Sequence, residues 1–213
     1  MGTKTLIAIP CMDMVPVGFF TSMLNLRKPE GTSYAPLSNC LIYDSRNTFV
    51  ANAIDGGFDR ILWLDSDMVF PPDLLERLSV DMDETGAEFV TALYFKRRMP
   101  TGPVIYKELV YERREDETLN VKAEPYTDYP KDTLFEIAGS GFGAVMTSTG
   151  LLKRVWDTYG PPFDPMTQIG EDLACCWRIG QMGVKMYCDS RINVGHIGQF
   201  IFDERVYMNQ REG

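Results

Sequence analysis

Two aspartates, Asp65 and Asp67, lie two positions apart directly after the apolar run RILWL of residues 60–64. Such a short run is typical of a buried strand, and side chains two positions apart on an extended chain point the same way. Two converging carboxylates can hold a hard divalent cation, which completes its shell with water and substrate phosphates. A polar junction between strand and loop would also explain the pair, but the strand before it and the segment MVFPP after it favour a metal site.

The chain has a single histidine, His196, in the segment GHIG of residues 195–198. A lone histidine is commonly a packed or hydrogen-bonded residue. Beside a carboxylate pair, however, an imidazole would complete a mixed nitrogen and oxygen site suited to Mn²⁺ or Mg²⁺. The residues leave both interpretations open.

A second acidic pair, Glu171 and Asp172, follows Gly170 where a helix is predicted to begin. Acidic residues in a first helical turn interact favourably with the helix dipole, which is a sufficient structural explanation. The functional alternative is that one carboxylate acts as a general base and takes a proton from a substrate hydroxyl. Both explanations stay open.

The glycine-rich segment GSGFG of residues 139–143 follows a predicted strand. It has neither the glycine spacing of a dinucleotide-binding turn nor the lysine of a P-loop. Ala138 stands where the motif G-x-S-x-G needs its first glycine, and the lone histidine argues against a hydrolase triad. We interpret the segment as a place where the backbone approaches a ligand closely.

The order of strands and helices that must position these groups predicts an α/β fold. In the first half, strands are predicted over residues 5–10, 60–64 and 88–95, and helices over 15–26, 38–53 (N-cap Ser38 or Asn39) and 71–83. In the second half, strands are predicted over 103–112, 119–126, 135–138, 144–147 and 184–188, and helices over 150–159 and 171–182. Without a repeat or linker, residues 1–213 are expected to form one compact domain that binds ligands at the carboxyl ends of its strands.

The amino-acid composition of the chain limits the kinds of partner that it is expected to bind. The formal net charge of −9 argues against duplex DNA as the main partner, because such binding requires clustered basic residues. A local basic strip, Lys96 to Arg98, is either a solvated strand end or a phosphate contact. The five cysteines form no C-x-x-C pair and predict reduced thiols and a cytoplasmic protein. No apolar run approaches the roughly 20 residues that span a bilayer, so no membrane span is expected.

Taken in order, these motifs resemble the GT-A glycosyltransferases, particularly the family 2-like members of bacteria and phages. The resemblance covers nearly the whole chain, and each motif by itself is weak. The segments are IAIP at 7–10, DSRN at 44–47, WLDSD at 63–67, GSGFG at 139–143, GED at 170–172 and GHIG at 195–198. The resemblance implies a Rossmann-like GT-A fold with a mixed, mostly parallel sheet flanked by helices.

The resemblance also implies an activity, the transfer of a sugar from a nucleotide-sugar donor, with a UDP-sugar favoured, to an acceptor hydroxyl. The acceptor would be a glycan, a small molecule or a modified macromolecule, and the cofactor Mn²⁺ or Mg²⁺. A nucleotidyltransferase and an inactive nucleotide-sugar-binding module are the alternatives. The chain continues for only 199–213 after the histidine motif, which argues against processive synthesis at a membrane. The oligomeric state stays open.

By the same resemblance, individual residues take roles. Asp65, Asp67 and His196 would bind the metal, with Asp65 and Ser66 also near the donor. The remaining donor contacts would be Ile9, Pro10, Arg46, Asn47 and Gly141. Asp172 would be the base of an inverting reaction, with Glu171 beside it. Residues 1–95 would bind the donor and residues 96–213 the acceptor, with the hairpin of residues 103–126 as the acceptor-specific element.

Overall fold

The helices and strands are those of a computed structural model, which describes residues 2–115, 117–198 and 201–212. The strands are β1 (Thr5–Pro10), β2 (Thr32–Leu37), β3 (Arg60–Leu64), β4 (Met68–Val69), β5 (Phe89–Leu93), β6 (Ile105–Arg113), β7 (Leu119–Pro125), β8 (Leu134–Ile137), β9 (Gly139–Ser140), β10 (Ala144–Ser148), β11 (Met186–Asn193), β12 (Gly195–Ile197) and β13 (Ile201–Phe202). The helices are α1 (Val17–Asn25), α2 (Ile42–Asp55), α3 (Leu74–Thr85), α4 (Thr149–Tyr159), α5 (Glu171–Gln181) and α6 (Glu204–Glu212).

Seven strands form the main sheet in the order β2-β1-β3-β10-β5-β11-β8. Strands β1, β2, β3, β5 and β11 run in one direction, and β10 and β8 run in the other. The predicted fold class is therefore confirmed: a single compact α/β domain with a mixed, mostly parallel sheet flanked by helices. Both halves of the chain contribute strands, so the sheet is continuous across them.

Helices cover both faces of this sheet, which is why its central strands are buried and consist mainly of apolar residues. On one face, α2, α4 and α5 pack over an aromatic cluster that contains Trp63, Phe142 and Phe163. On the other face, α1 and α3 cover Leu62 and Leu64. The alternating side chains of β3 thus enter two separate cores.

The sequence-based boundaries differ from the structure where tertiary contacts decide them. Strand β2 was not predicted, because it is a half-exposed edge strand with a mixed polar sequence that includes Pro36. Helix α2 begins at Ile42, and the predicted N-caps Ser38 and Asn39 are wrong, since Leu41 occupies that position without a side-chain cap. Strand β11 continues to residue 193 through a bulge and is longer than predicted.

The segment after the histidine motif contains helix α6, which was not predicted. Its Tyr207 is buried and stacks on Phe95, with ring centroids 5.1 Å apart. Residues 199, 200 and 213 of that segment, and residue 116 of the predicted hairpin of residues 103–126, lie outside the described residues. Within the described ranges, no helix has the length and apolar composition needed to cross a bilayer.

Two small sheets stand beside the main one. Strands β13, β12 and β4 form the first, and β7, β6 and β9 form the second. The first sheet joins the segment after β3 to the segment of the lone histidine, and the second attaches the predicted hairpin to the glycine-rich segment.

Candidate active site

A cavity of about 660 Å³ opens at the carboxyl ends of β1, β3 and β5. It brings together nine of the residues predicted for the site: Pro10, Arg46, Asp65, Ser66, Asp67, Gly141, Glu171, Asp172 and His196. These residues come from six separate segments of the chain. Strands that run in the same direction end at the same edge, which is why motifs distant in sequence meet there.

Asp67 and His196 are neighbours because β4 and β12 pair. Met68 lies opposite His196, and the Ile197 amide donates to the Asp67 carbonyl at 2.8 Å. The His196 Nε2 then lies 3.4 Å from Asp67 Oδ2, and Nδ1 lies 2.9 Å from the Phe95 carbonyl. Since a carbonyl can only accept, Nδ1 carries a proton, and Nε2 is the nitrogen available to a metal.

Asp67 is suited to stay ionised. Burial raises its pKa, but the hydrogen bond and charge of His196 and the charge of Arg97 outweigh burial, so that the pKa of Asp67 lies below its ordinary value. An anionic oxygen opposite an imidazole nitrogen is a donor pair that suits Mn²⁺.

Asp65 has a different environment from Asp67. Its Oδ1 is 3.0 Å from Nη2 of Arg46, a buried arginine on α2 whose Nε also lies 3.7 Å from Glu171 Oε1. The Arg46 guanidinium also lies over two aromatic rings of the core, Phe142 and Phe163. Burial raises the pKa of Asp65, with Arg46 opposing. The two aspartates therefore face different cations.

No group of three or more His, Cys, Asp and Glu side chains within residues 2–115, 117–198 and 201–212 is arranged to hold a metal ion. The pair of Asp67 and His196 fits a cation that takes its other ligands from water and phosphate oxygens. Mg²⁺ is commonly bound in this way in phosphate-handling sites, through one or two carboxylates.

Glu171 and Asp172 begin helix α5 and both face the cavity. Asp172 Oδ1 accepts a hydrogen bond from the Leu173 amide at 2.7 Å. Burial, followed by the negative charge of Glu171, raises the pKa of Asp172 to about 6. A carboxylate with this pKa is largely ionised at neutral pH and is still a better proton acceptor than an ordinary aspartate.

The glycine-rich segment passes closely under the cavity. A side chain at Gly141 would place its Cβ 2.2 Å from the Tyr94 hydroxyl, 2.8 Å from Val104 and 3.4 Å from Asp172 Oδ2. The Tyr94 hydroxyl also accepts a hydrogen bond from the Gly143 amide at 3.1 Å. Only glycine leaves this part of the cavity open.

Two predicted donor contacts lie outside the cavity lining. Ile9 is buried in the core under α1. The Asn47 amide donates to Asp164 and accepts from the Phe163 amide, both at 2.9 Å, and so holds the loop before α5. The structure thus gives Asn47 a structural contact, and its predicted contact with a base or phosphate has no support in its position.

Sequence reasoning missed Tyr94 as a site residue and left the basic strip undecided. Tyr94 directly follows β5 as Asp65 directly follows β3, and this shared position after an apolar strand was the available signal. Lys96, Arg97 and Arg98 all line the cavity, and Arg97 Nη1 is 2.5 Å from Asp67 Oδ2. The strip therefore faces the site.

No protein-family model and no curated protein sequence matches the chain. Several solved structures match the chain in fold. A197 from STIV matches with a TM-score of 0.64 and 17% identity, covering 92% of this chain and 86% of that chain. GalNAc-T7 with UDP, GalNAc and Mn²⁺ matches with a TM-score of 0.60 and 11% identity, over 92% of this chain and 43% of that one. The chain has a GT-A-like fold.

A third match is S. aureus TarS 1–349, with a TM-score of 0.56 and 14% identity over 88% of this chain and 58% of that chain. GalNAc-T7 and TarS are glycosyltransferases. The chain spans less than two thirds of both. At these identities the likeness concerns the fold, and the chemistry has to be argued from the site.

Proposed function

We propose that this chain is a metal-dependent glycosyltransferase that moves a sugar from a nucleotide-sugar donor, with a UDP-sugar favoured, to an acceptor hydroxyl. The observation that carries the proposal is that Asp67, His196 and Asp172 line one cavity. That cavity lies at the carboxyl edge of a GT-A-like sheet. The UDP and Mn²⁺ held by GalNAc-T7 support the same chemistry for this fold.

On the donor side, Asp67 and His196 would hold Mn²⁺ or Mg²⁺, and a bound divalent ion stabilises the charge that develops on a departing nucleoside diphosphate. Arg46 keeps the Asp65 carboxylate fixed at the end of β3. Pro10, Leu41 and Ile42 form an apolar wall of the same cavity, which suits the flat face of a nucleoside.

On the acceptor side, Asp172 would take the proton of the attacking hydroxyl. Its Oδ1 is oriented by the Leu173 amide, and Oδ2 is the oxygen that faces the space beside Gly141. A base that acts from the face opposite the leaving group supports inversion at the anomeric carbon. Glu171 beside it would contact hydroxyl groups of the acceptor or of the transferred sugar.

The proposal is tested with Asp67→Ala. We expect the variant to fold but to lose Mn²⁺-dependent stabilisation by nucleotide sugars, and to lose about 100-fold or more in kcat/KM, because one of two protein ligands is gone. The measurements are thermal unfolding with a panel of nucleotide sugars and the release of nucleoside diphosphate. Asp55→Ala, at an exposed position on α2, is the matched control and should behave as wild type.

The same assays separate the alternatives. Release of pyrophosphate, with transfer of a nucleoside monophosphate, would identify a nucleotidyltransferase. Metal-dependent binding of a nucleotide sugar without turnover on any acceptor would identify a binding module. Full metal-dependent turnover by Asp67→Ala would contradict the proposed metal site.

A further inference from the structure

The Asp67 oxygen that faces His196 already has a cationic partner. Arg97 Nη1 lies 2.5 Å from Asp67 Oδ2, the atom that is also 3.4 Å from His196 Nε2. A divalent ion bound between these ligands would lie within about 2.2 Å of the same oxygen. Metal and guanidinium would then compete for one carboxylate oxygen as like charges at close range.

Arg97 can leave this oxygen without disturbing the fold. Its side chain is 58% exposed, and Asp67 is its ion-pair partner within the part of the chain that the structure describes. The loop that carries it, residues 96–102, is held at its base instead. The Lys96 amide donates to the Gly102 carbonyl, and the Thr101 main chain exchanges two hydrogen bonds with Gln210 of α6.

The released guanidinium would have an anion within reach. Arg97 and its neighbours Lys96 and Arg98 line the cavity, beside the pair proposed to hold the metal of a donor diphosphate. A guanidinium forms two parallel hydrogen bonds with phosphate oxygens, which is a favourable replacement for one carboxylate contact.

We propose that Arg97 is a positioning residue that exchanges partners on donor binding. Without a donor it pairs with Asp67 and occupies the position of the metal. When metal and diphosphate enter together, Arg97 leaves Asp67 and binds a phosphate oxygen. This inference rests on the proposed donor site. It makes binding of the metal weak in the absence of a diphosphate and strong in its presence.

The test is Arg97→Gln, with two binding measurements that do not depend on turnover. Free Mn²⁺ alone, titrated by electron paramagnetic resonance, should bind about two- to fivefold more tightly to the variant, the effect expected from removing a half-exposed competing ion pair. Preformed Mn²⁺–pyrophosphate, titrated calorimetrically, should bind about tenfold more weakly, because a charged hydrogen bond to phosphate is lost.

Arg98→Gln is the matched control. It removes the same charge from the adjacent position of the same loop, and no contact joins Arg98 to Asp67 among the described residues. Its affinity for Mn²⁺ alone should stay within about twofold of wild type, since the charge that it removes forms no ion pair with Asp67.

Two results would overturn the exchange while leaving the proposed function standing: equal Mn²⁺ affinities of Arg97→Gln and wild type, or equal affinities of both for Mn²⁺–pyrophosphate. An equal gain of Mn²⁺ affinity in Arg98→Gln would also overturn it, because net charge would then explain the effect. A wild-type chain that binds neither probe would overturn the proposed function together with this inference.

Discussion

Asp65 and Asp67 are two positions apart, yet their surroundings give them different properties. Asp65 is paired with a buried arginine, Arg46, whose side chain is only 3% exposed. Asp67 faces His196 and the exposed Arg97 at the cavity surface, and its pKa is lowered where that of Asp65 is raised. Of the two, Asp67 is therefore the aspartate better placed to exchange a protein cation for a metal ion.

The raised pKa of Asp172 predicts how the reaction rate depends on pH. Because the base must be ionised and its pKa is raised to about 6, kcat/KM should fall as the pH drops through about 6. Asp172→Asn should lower kcat by about 100- to 10,000-fold and abolish this acidic limb. The measurement is a pH–rate profile with a saturating metal concentration.

Glu171→Gln is the accompanying variant. The charge of Glu171 is the second cause of the raised pKa of Asp172, after burial, so its removal should move the acidic limb to lower pH. An unchanged limb in Asp172→Asn would assign the titrating group to another residue.

Among the elements, the connection between β9 and β10 determines the shape of the cavity. Gly141 and Gly143 pass over Tyr94, which follows β5, and the Gly143 carbonyl accepts from the Asp65 amide at 3.1 Å. Through these contacts the β9–β10 connection holds the ends of β3 and β5 in position next to each other. A substitution in the glycine-rich segment is therefore expected to displace Tyr94 and Asp65, and with them the part of the cavity proposed to bind the metal.

Gly141→Ala tests this contact. The new Cβ would lie 2.2 Å from the Tyr94 hydroxyl, and forced repacking of this kind costs about 1–3 kcal/mol of unfolding free energy. Tyr94→Phe removes the oxygen, so Gly141→Ala should cost less in that background. Urea unfolding of the two single variants and the double variant measures the coupling, and additive effects would show that the tyrosine oxygen is not the obstacle.

At the scale of the whole molecule, an acidic pair outside the cavity fastens helix α3 to the main sheet. Asp81 of α3 and Asp189 of β11 are both buried, and Arg191 bonds to each of them at 2.8 Å. Burial, and then the charge of Asp189, raises the pKa of Asp81 to about 6, with Arg191 opposing.

This pair predicts how stability depends on pH. The folded pKa of Asp81 lies above the unfolded value of about 3.9, so its stabilising contribution is full below about pH 4 and is lost as the pH rises through about 6. Asp81→Asn cannot ionise. Relative to wild type, its free energy of unfolding should therefore increase by about 1–3 kcal/mol between pH 4.5 and 7.5, values that bracket the titration.

Urea unfolding at the two pH values measures this difference. Val80→Ala, at a half-exposed neighbouring position of α3, is the control and should differ from wild type by the same amount at both. A constant difference for Asp81→Asn as well would show that Asp81 does not titrate in this range.

Much of the fold and of the site could be predicted from residue order. The bounds of β3 were predicted to the residue, because a continuous apolar run flanked by polar residues indicates a buried strand. The carboxyl-edge rule then placed Asp65, Asp67 and their neighbours in one region. Elements at the edge, such as β2 and α6, were missed, since their residues owe their conformation to contacts with distant partners.

Residue types and local pattern are enough to identify the apolar strands, the acidic motifs that follow them and the single histidine. Which cation each carboxylate faces depends on how distant segments pack together. Arg46 pairs with Asp65, Arg97 with Asp67, and Asn47 turns away to Asp164. Such ion pairs and hydrogen bonds depend on distances of a few ångströms between residues as many as 117 positions apart, and these distances are set by the packing of the sheet and its helices.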